Sequence, residues 1–452
     1  MAKGIEIIDE TRSVYIGGGG SWISGIDNLT PKTSVNDDPD DKESITTSNN
    51  IEVEISSWGS DNKLPFQILN DLKNVTVAGA GLRKRGRIHL GRGVVAFRHE
   101  TDEEEGNQKV VPATDDNVLE FFKKNKINKF YKAQVTDYEI FNLCFPEFIL
   151  DGDGGNILHI HHKTAPYMRF SVKEDVNRVW RSKWAVYSPK WEDGATEEDS
   201  VAIPCISPDM SVEEVKKYCQ KNKISKFVRP VYNYMPGYDY YPIPFWNSAR
   251  TSEWMDIAKI IPKVKKAIIN NSMTLKYIVR IPTNYFMNKY PNLNPKERLA
   301  KTEEDLKAVD DFLKDTQNTG KSFMTFYDID KVTKQKVGAW EIEVIDNKIK
   351  DGVLNLDSAA ANSEILFAIG IDPTLIGSGM PGKELGAKSG SDKREAYNIA
   401  ISDAMADRFE TLDTLEFIRD YNGWDPNINF AFEDNILTTL DKNPTGVQKR
   451  SV

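Results

Sequence analysis

Residues 237–282, GYDYYPIPFWNSARTSEWMDIAKIIPKVKKAIINNSMTLKYIVRIP, give the first indication of the architecture. Proline and aromatic residues fill the first part, and the pattern then predicts a long helix over residues 247–271. Pro262 lies inside this helix and removes one backbone hydrogen bond, so a bend is expected there. Five apolar residues recur at steps of three or four and form a packing stripe: Trp254, Ile257, Ile261, Val264 and Ile268.

The same helix carries a second, basic face. Lys259, Lys263 and Lys266 follow each other at steps of four and three residues, so they lie on one side of a helix. Two interpretations are open at this point. The lysines form an ordinary solvated surface, or they face a polyanion such as DNA or a layer of lipid headgroups.

Composition limits the class of protein. A chain of 452 residues exceeds one ordinary core, which predicts two or three folding units. The net charge of −9 disfavours a protein that wraps nucleic acid, although it permits one past which DNA slides. No apolar run is long enough to span a membrane, and the N-terminus lacks the pattern of a secretory signal. Three cysteines without metal-ligand spacing predict synthesis in a reducing, intracellular setting.

Periodicity predicts alternating helical and strand-rich segments around this central helix. Residues 1–50 are polar, acidic and glycine-rich, which is typical of a solvated arm. Residues 165–245 are rich in strand-forming and aromatic residues and contain one short helix, at 211–222. The remaining predicted helices cover 64–74, 116–143, 294–320, 355–370 and 391–423, and the remaining predicted strands lie within 86–97, 144–163, 275–282, 322–329 and 339–345.

The segment IGSGMPGKELGAKSG, residues 376–390, contains a G-x-x-x-x-G-K pattern that ends in Gly382 and Lys383. A working phosphate-binding loop needs a strand before it, a helix directly after it, and Ser or Thr beside the lysine. Here Glu384 follows the lysine, the preceding residues resemble the end of a helix, and further glycines follow. We therefore favour a glycine loop between two helices, with a nucleotide-binding protein as an alternative.

Other sequence signals for metal binding or catalysis are weak. His159 and His161 share one face of a predicted strand and could touch a metal, but no further ligand with suitable spacing lies nearby, so a polar strand face is favoured. No arrangement of nucleophile, histidine and carboxylate can be identified. The sequence therefore predicts a protein with no catalytic residues, no metal and no cofactor.

Three motifs, in this order, resemble those of bacteriophage portal proteins. A YYP-x-P-x-W-x-S-A pattern opens the central helix at Tyr240, and the segment from residue 354 to 408 has a helix ending in I-x-P-x-L-x-G, a Gly/Ser loop with SGS, and REA at the start of the next helix. The third and weaker match is GLRKRGRIHLGRGV, residues 81–94. The resemblance extends from about residue 60 to residue 440, whereas the first fifty residues match no motif of the family.

The resemblance implies a dodecameric ring at one capsid vertex. Double-stranded DNA would enter through its channel, driven by the terminase large subunit, and would later leave through it into the tail. The implied partners are further copies of the chain, a head–tail adaptor, and the major capsid and scaffold proteins, without a membrane. The implied location is the virion, after assembly in the host cytoplasm. A peripheral membrane scaffold, based on the basic helix face, remains a second alternative.

The resemblance also implies an α+β subunit with an α/β wing, a helical stem, a β-rich clip and a short helical crown. The expected segments are an N-terminal arm at 1–50, the first part of the wing at 51–164, the clip at 165–245, the stem helix at 246–274, the second part of the wing at 275–345, the tunnel loop, a helix and the glycine-rich connection at 346–390, and the C-terminal helix and crown at 391–452.

Two sets of functional residues are predicted. Lys348 and Lys350, within the tunnel-loop segment IDNKIKDG, are the first candidates for facing DNA in the channel, followed by the three lysines of the stem helix, Lys259, Lys263 and Lys266. Aromatic residues can anchor subunit or adaptor interfaces, and they can equally fill a core. The aromatic candidates are Trp180, Trp184, Trp191, Tyr240, Tyr241, Trp246 and Trp254.

Overall fold

The computed structural model describes residues 6–7, 13–15, 22–24, 42–101, 108–176, 179–272, 277–282, 284–314, 328–329, 336–337, 340–344, 351–377, 390–436 and 449–451. Helices and strands are mixed along the chain, as expected for an α+β protein. The α-helices of these residues are α1 (Leu64–Asn74), α2 (Thr76–Leu90), α3 (Asp116–Asn125), α4 (Ile127–Phe141), α5 (Val212–Asn222), α6 (Ser248–Thr251), α7 (Trp254–Ser272), α8 (Tyr285–Lys289), α9 (Pro295–Lys314), α10 (Asp351–Ile369), α11 (Gly390–Asp403) and α12 (Met405–Asn422).

The strands are mostly short. They are β1 (Glu6–Ile7), β2 (Ser13–Tyr15), β3 (Trp22–Ser24), β4 (Lys42–Thr46), β5 (Glu52–Ser56), β6 (Val94–Thr101), β7 (Gln108–Pro112), β8 (Leu143–Leu150), β9 (Ile157–Lys163), β10 (Met168–Phe170), β11 (Lys173–Val176), β12 (Val179–Ser182), β13 (Trp184–Tyr187), β14 (Val201–Pro204), β15 (Lys226–Val228), β16 (Val231–Tyr232), β17 (Tyr277–Arg280), β18 (Asp328–Ile329), β19 (Lys336–Val337), β20 (Glu341–Val344), β21 (Asn429–Phe432), β22 (Asp434–Ile436) and β23 (Lys449–Ser451).

Strand β8 lies at the centre of the larger sheet. It pairs antiparallel with β9 along one edge and with β15 and β16 along the other. The first six residues of β8 are all buried, which fits a strand that is covered on both faces. Two three-stranded sheets, β10–β13–β14 and β21–β6–β7, accompany it. An isolated bridge between Ile55 and Ser171 connects β5 to the end of β10.

Contacts divide the chain into two compact units. The larger contains Met1–Lys259 and Ser358–Val452, and the smaller contains Ile260–Asp357. Two hydrophobic clusters fill the larger unit. One joins α3, α4 and α12 to β8, β9 and β21, and the other joins α1, α2 and α10 to β10 and β13. In the smaller unit, the ring of Trp340 packs edge-on against Tyr285 and Phe286.

The predicted wing and clip segments, 51–164 and 165–245, share both clusters of the larger unit. Phe227 of the predicted clip stacks on Phe148 of the predicted wing, with ring centroids 5.1 Å apart. Tyr241 packs in the same way on Trp58, at 4.4 Å. The segment that forms a unit of its own is 260–357. The subdomain names remain predictions.

Capping residues in the sequence explain why several helices begin or end near the predicted residues. The helix predicted at 64–74 and the two strands within 144–163 are present. The Asp115 side chain accepts hydrogen bonds from the first backbone amides of α3, and Ser211 with Glu214 forms a capping box at the start of α5. Gly423 ends α12 in the left-handed conformation, with φ of 66°.

Four predicted elements need correction. The strand pair predicted at 86–97 is wrong in its first half, because α2 continues to Leu90 and β6 begins only at Val94. The helices predicted at 116–143 and 391–423 are each two helices, broken at Lys126 and Ala404. Lys126 takes a left-handed φ of 49°, which ends α3 and turns the chain into α4. The fourth, the helix predicted at 247–271, is also divided, because Glu253 separates α6 from α7.

Candidate functional site

The central helix begins later than its sequence pattern indicates. A 3₁₀ turn at Phe245–Asn247 and the short helix α6 precede it, and α7 starts only at Trp254. Glu253 separates the two helices because it adopts a left-handed φ of 64°. The helix continues through Pro262, so the proline does not end it.

The apolar stripe predicted on α7 is only partly buried. Ile261 is 7% exposed, whereas Ile257 and Val264 are 36% and 37% exposed. Trp254 packs from the edge against the second hydrophobic cluster. The stripe therefore contributes to a core and also retains apolar surface.

The three lysines of α7 lie in different environments. Lys259 donates to Asp71 at 2.6 Å and to Asp256 at 2.9 Å. Burial lowers the pKa of Lys259, but its hydrogen bonds to these two carboxylates outweigh burial and raise the pKa above its ordinary value. The positive charge of Lys259 is therefore already compensated within the chain. Lys263 and Lys266 are exposed, as expected for residues that meet a partner or solvent.

Asp71 is the centre of a small polar cavity. Its carboxylate receives the Arg250 guanidinium at 2.6 Å in addition to Lys259. Burial raises the pKa of Asp71, but the hydrogen bonds from Lys259 and Arg250 outweigh it and hold the pKa below its ordinary value. The cavity of about 290 Å³ is also lined by Gln67, Asn70, Met255 and Asp256. Two cations and two carboxylates balance each other here, so the cavity carries no excess charge that would attract phosphate.

Lys348 and Lys350 lie outside the described residues, as do Gly382, Lys383 and Glu384 of the glycine loop. The described residues before that loop are helical, because α10 and a 3₁₀ turn at Pro373–Leu375 precede it. This confirms the predicted helix end and removes the strand that a phosphate-binding loop requires. The next helix, α11, begins at Gly390.

Three of the aromatic candidates are core residues. Trp191, Tyr241 and Trp246 are 4%, 3% and 4% exposed, so they have almost no surface to offer a partner. Their polar atoms bond within the chain: Trp191 Nε1 donates to the Tyr167 carbonyl at 3.0 Å, and Tyr241 Oη donates to the Ser56 carbonyl at 2.9 Å. For these three residues the burial within one chain favours the core alternative.

The other aromatic candidates are less buried or are not described at the level of side chains. Trp184 and Tyr240 are partly buried, like Trp254. The Tyr240 hydroxyl accepts a hydrogen bond from the Lys173 amide at 3.0 Å, and the Lys173 ammonium lies 5.1 Å from the ring centroid. Trp180 lies on β12, and its side chain is outside the described part of the chain. For these four, the choice between interface and core stays open.

The histidines of β9 make separate contacts. His159 Nδ1 lies 3.3 Å from Asn125 Oδ1, and His161 Nδ1 lies 3.9 Å from Glu147 Oε2. Burial, followed by the nearby charge of Lys124, lowers the pKa of His159. Among the residues that the structure describes, no group of three or more His, Cys, Asp and Glu side chains could hold a metal ion. Over the same residues, no helix combines the length and hydropathy needed to cross a bilayer.

A buried charged network joins α2, α4 and α12, and the sequence pattern did not indicate it. Arg85 bonds Glu139 at 2.5 Å and Asp407 at 2.7 Å, while His89 lies between Glu139 and Thr411, at 2.7 and 2.9 Å. Arg85 and His89 are four residues apart and therefore lie on one face of α2. The sequence would have indicated this polar pair only if residues 86–90 had been predicted as helix. His89 is 0% exposed and the Glu139 side chain is 4% exposed, whereas the Arg85 side chain is 31% exposed, so the network is buried on the side of His89 and reaches the surface at Arg85.

Comparison with known proteins gives matches among solved structures only. No protein-family model and no curated protein matches the chain. A chain from the neck of the empty gene transfer agent (GTA) particle, computed with C6 symmetry, is 12% identical with a TM-score of 0.52, over 80% of this chain and 83% of that chain. A chain from the virion of the native GTA particle is 12% identical with a TM-score of 0.52, over 83% and 85% of the two chains.

A third match, from the neck of the native GTA particle computed with C12 symmetry, is 13% identical with a TM-score of 0.47, over 70% and 73% of the two chains. At these identities the first two matches establish a shared fold over most of both chains. The structural neighbours belong to phage-like particles, in agreement with the resemblance to phage portal proteins in the sequence motifs.

Proposed function

We propose that this chain is a portal-type, head-to-tail connector subunit that assembles with its own copies into a ring around a channel for double-stranded DNA. The observation that carries the proposal is the fold shared with a chain from a GTA particle neck over 80% of this chain and 83% of that chain. A likeness that covers both chains to this extent concerns the whole architecture and not a single motif. The three ordered sequence motifs support the same conclusion independently.

The charges of the chain suit a conduit. A channel that lets DNA slide must not neutralise many phosphates tightly, because each tight contact makes release slower and binding more salt-dependent. A subunit with a net charge of −9 and a few exposed lysines, repeated around a ring, attracts DNA weakly and evenly. We propose that Lys348 and Lys350 supply this attraction, and that the chain works without catalysis or a cofactor of its own.

The ion pairs of α7 narrow the second set of channel candidates. Lys259 already forms ion pairs with Asp71 and Asp256, so its positive charge is compensated and would attract DNA only weakly. Lys263 and Lys266 are exposed and remain in the proposal as weaker candidates. For docking of terminase and the adaptor we propose the predicted clip, residues 165–245.

Electron microscopy of the purified full chain, combined with mass by light scattering, tests the proposal. We expect rings with a central hole wide enough for duplex DNA. A protein that remains monomeric at every concentration, with and without DNA and scaffold, would contradict it. In that case ATP binding should be measured with the wild type and Lys383→Ala, since loss of binding in the variant would favour the nucleotide-binding alternative.

A further inference from the structure

One side of α12 is an acidic surface. Four carboxylates point away from the core on this helix, and together they form the acidic face: Glu410, Asp413, Glu416 and Asp420. Asp413 pairs with Arg229, and Asp420 pairs with Arg419. Glu410 and Glu416 have no ion-pair partner among the described residues. Beside them, Phe409 is 67% exposed and Met405 is 42% exposed.

The carboxylates of this face destabilise one another's charge. Burial raises the pKa of Glu410, and the neighbouring Asp413 and Asp407 raise it further. Burial also raises the pKa of Glu416, against the opposing effect of Arg419. A cation brought to this face would therefore be favoured by charges that the isolated chain leaves uncompensated.

A lysine surface lies at the corner between α3 and α4. Five exposed lysines within ten residues form the lysine face: Lys123, Lys124, Lys126, Lys129 and Lys132. None of the five has an ion-pair partner among the residues that the structure describes. Some other exposed lysines are paired, such as Lys190 with Asp199 at 2.8 Å and Lys301 with Glu304 at 2.7 Å. Their closeness in sequence concentrates positive charge at this corner of a chain whose net charge is −9.

The two faces point to opposite sides of one helix pair. On α4, Tyr131 and Gln134 bond to α12, and Lys129 and Lys132 each stand two positions before one of them. Two positions on an α-helix correspond to a rotation of about 200°, so the lysines point away from α12.

The same holds on α12. Thr411 and Thr414 face α4, while Asp413 and Glu416 each stand two positions after one of them. These two carboxylates therefore point away from α4, as does Asp420, four positions after Glu416, whereas Glu410 stands four positions before Thr414 and lies nearer α4. Both helices belong to the larger compact unit and bond to each other directly, so the separation of the two faces is a property of that unit.

We propose that the lysine face of one copy of this chain binds the acidic face of the next copy, in a head-to-tail contact. This inference rests on the proposed ring and names the surfaces that build it. Complementary charges on opposite sides of one subunit produce a heterologous contact, which closes into a ring when the rotation between copies allows it. The long aliphatic parts of the lysine side chains can cover Phe409 and Met405 while their ammonium groups meet the carboxylates.

Charge reversal of one face at a time tests the contact. The first variant is Glu416→Lys with Asp420→Lys, and the second is Lys129→Glu with Lys132→Glu. Each variant alone presents two faces of like charge, so we expect self-association at least about tenfold weaker than that of the wild type. In an equal mixture, each variant meets an opposite charge on the other, and mixed oligomers with alternating subunits should form. Native mass spectrometry and sedimentation measure both effects.

The control carries the same change of charge on another surface. Lys296→Glu with Lys307→Glu alters two exposed lysines of α9 and should assemble like the wild type. Recovery in the mixture also shows that both variants are folded. Wild-type-like assembly of the single variants, or a mixture that stays monomeric, overturns the contact and leaves the proposed ring standing. A mixture that grows into open filaments supports the contact and contradicts the ring.

Discussion

Arg408 of α12 and Asp434 of β22 form a buried ion pair with two contacts, Nη1 to Oδ2 at 2.5 Å and Nη2 to Oδ1 at 2.7 Å. The same guanidinium donates to the carbonyls of His89 and Ile88, at 3.0 and 2.6 Å, which belong to the last turn of α2. One side chain thus joins α12, the C-terminal part of the chain and the end of α2. All donors and acceptors in this group are matched, which a buried charge requires.

Removing one partner of this pair should destabilise the fold strongly. In Asp434→Asn the charge of Arg408 stays buried without its counter-ion, and we expect the free energy of unfolding to fall by about 3–5 kcal/mol. Chemical unfolding with urea at pH 7, followed by circular dichroism, measures this change.

The exposed pair between Lys190 and Asp199 serves as the control. Its two side chains are 55% and 23% exposed, so water already solvates both charges. Asp199→Asn should therefore change the free energy of unfolding much less than Asp434→Asn. Equal decreases in the free energy of unfolding for the two substitutions would show that the buried pair stabilises the fold no more than the exposed pair does.

The second prediction concerns Glu139 and acid. Burial raises the pKa of the Glu139 carboxyl, but the hydrogen bond from His89 and the charge of Arg85 outweigh burial and hold the pKa below its ordinary value. A carboxyl with a lowered pKa in the folded state stabilises the fold above its unfolded pKa, and this contribution is lost as the pH falls through the folded pKa. We therefore expect Glu139→Gln to be less stable than the wild type at pH 7.

The difference between the two proteins should shrink as the pH is lowered below 4.5, the ordinary pKa of a glutamate. Urea unfolding at a series of pH values from 7 downwards provides the test. Glu303→Gln, a substitution at an exposed position of α9, should leave the pH dependence of stability unchanged. A constant difference between wild type and Glu139→Gln at all pH values would rule out the electrostatic explanation.

Local patterns predicted elements whose determinants lie within a few residues. The helix at 64–74 has its apolar positions and Pro65 at its start, and a run of glycines separates the two strands within 144–163. The first half of the predicted strand pair failed because its glycines suggested turns. In the fold, Gly86 lies inside α2 and faces α4, where a Cβ would lie 3.9 Å from Glu139 and 4.0 Å from Val135, both about fifty residues along the chain. No local pattern contains those contacts.

The candidate residues illustrate the same limit. A tryptophan or tyrosine can serve a core or an interface, and the sequence alone left both possibilities open. Tyr241 is buried because Phe170 and Ser56, both distant in sequence, bond to its hydroxyl. The charge of Lys259 is compensated by Asp71, which lies in another helix. The sequence identified suitable residue types, and only the tertiary contacts decide which of them are free to act.

The third prediction tests the proposed channel. Replacing Lys348 and Lys350 together by Gln removes two positive charges per subunit, so DNA in the channel should be held less strongly. Ring formation should persist, because glutamine keeps most of the length and the polarity of lysine. Packaged genome length and retention, measured in particles, report the effect, and electron microscopy of the purified rings provides the check on assembly. Unchanged length and retention would contradict a role of these lysines.

The last prediction separates stability from assembly at the acidic face. The raised pKa values of Glu410 and Glu416 mean that the folded monomer disfavours their ionised forms at neutral pH. Glu410→Gln with Glu416→Gln removes this repulsion at nearly constant shape, so the isolated subunit should become more resistant to urea at pH 7. The same change removes the charges that meet the lysine face, so self-association should become weaker. Urea unfolding at low protein concentration and sedimentation at high concentration measure the two effects, with Glu303→Gln as the control for both. If stability and assembly fall together, the substitution simply damages the helix; if assembly is unchanged, the acidic face does not join the copies.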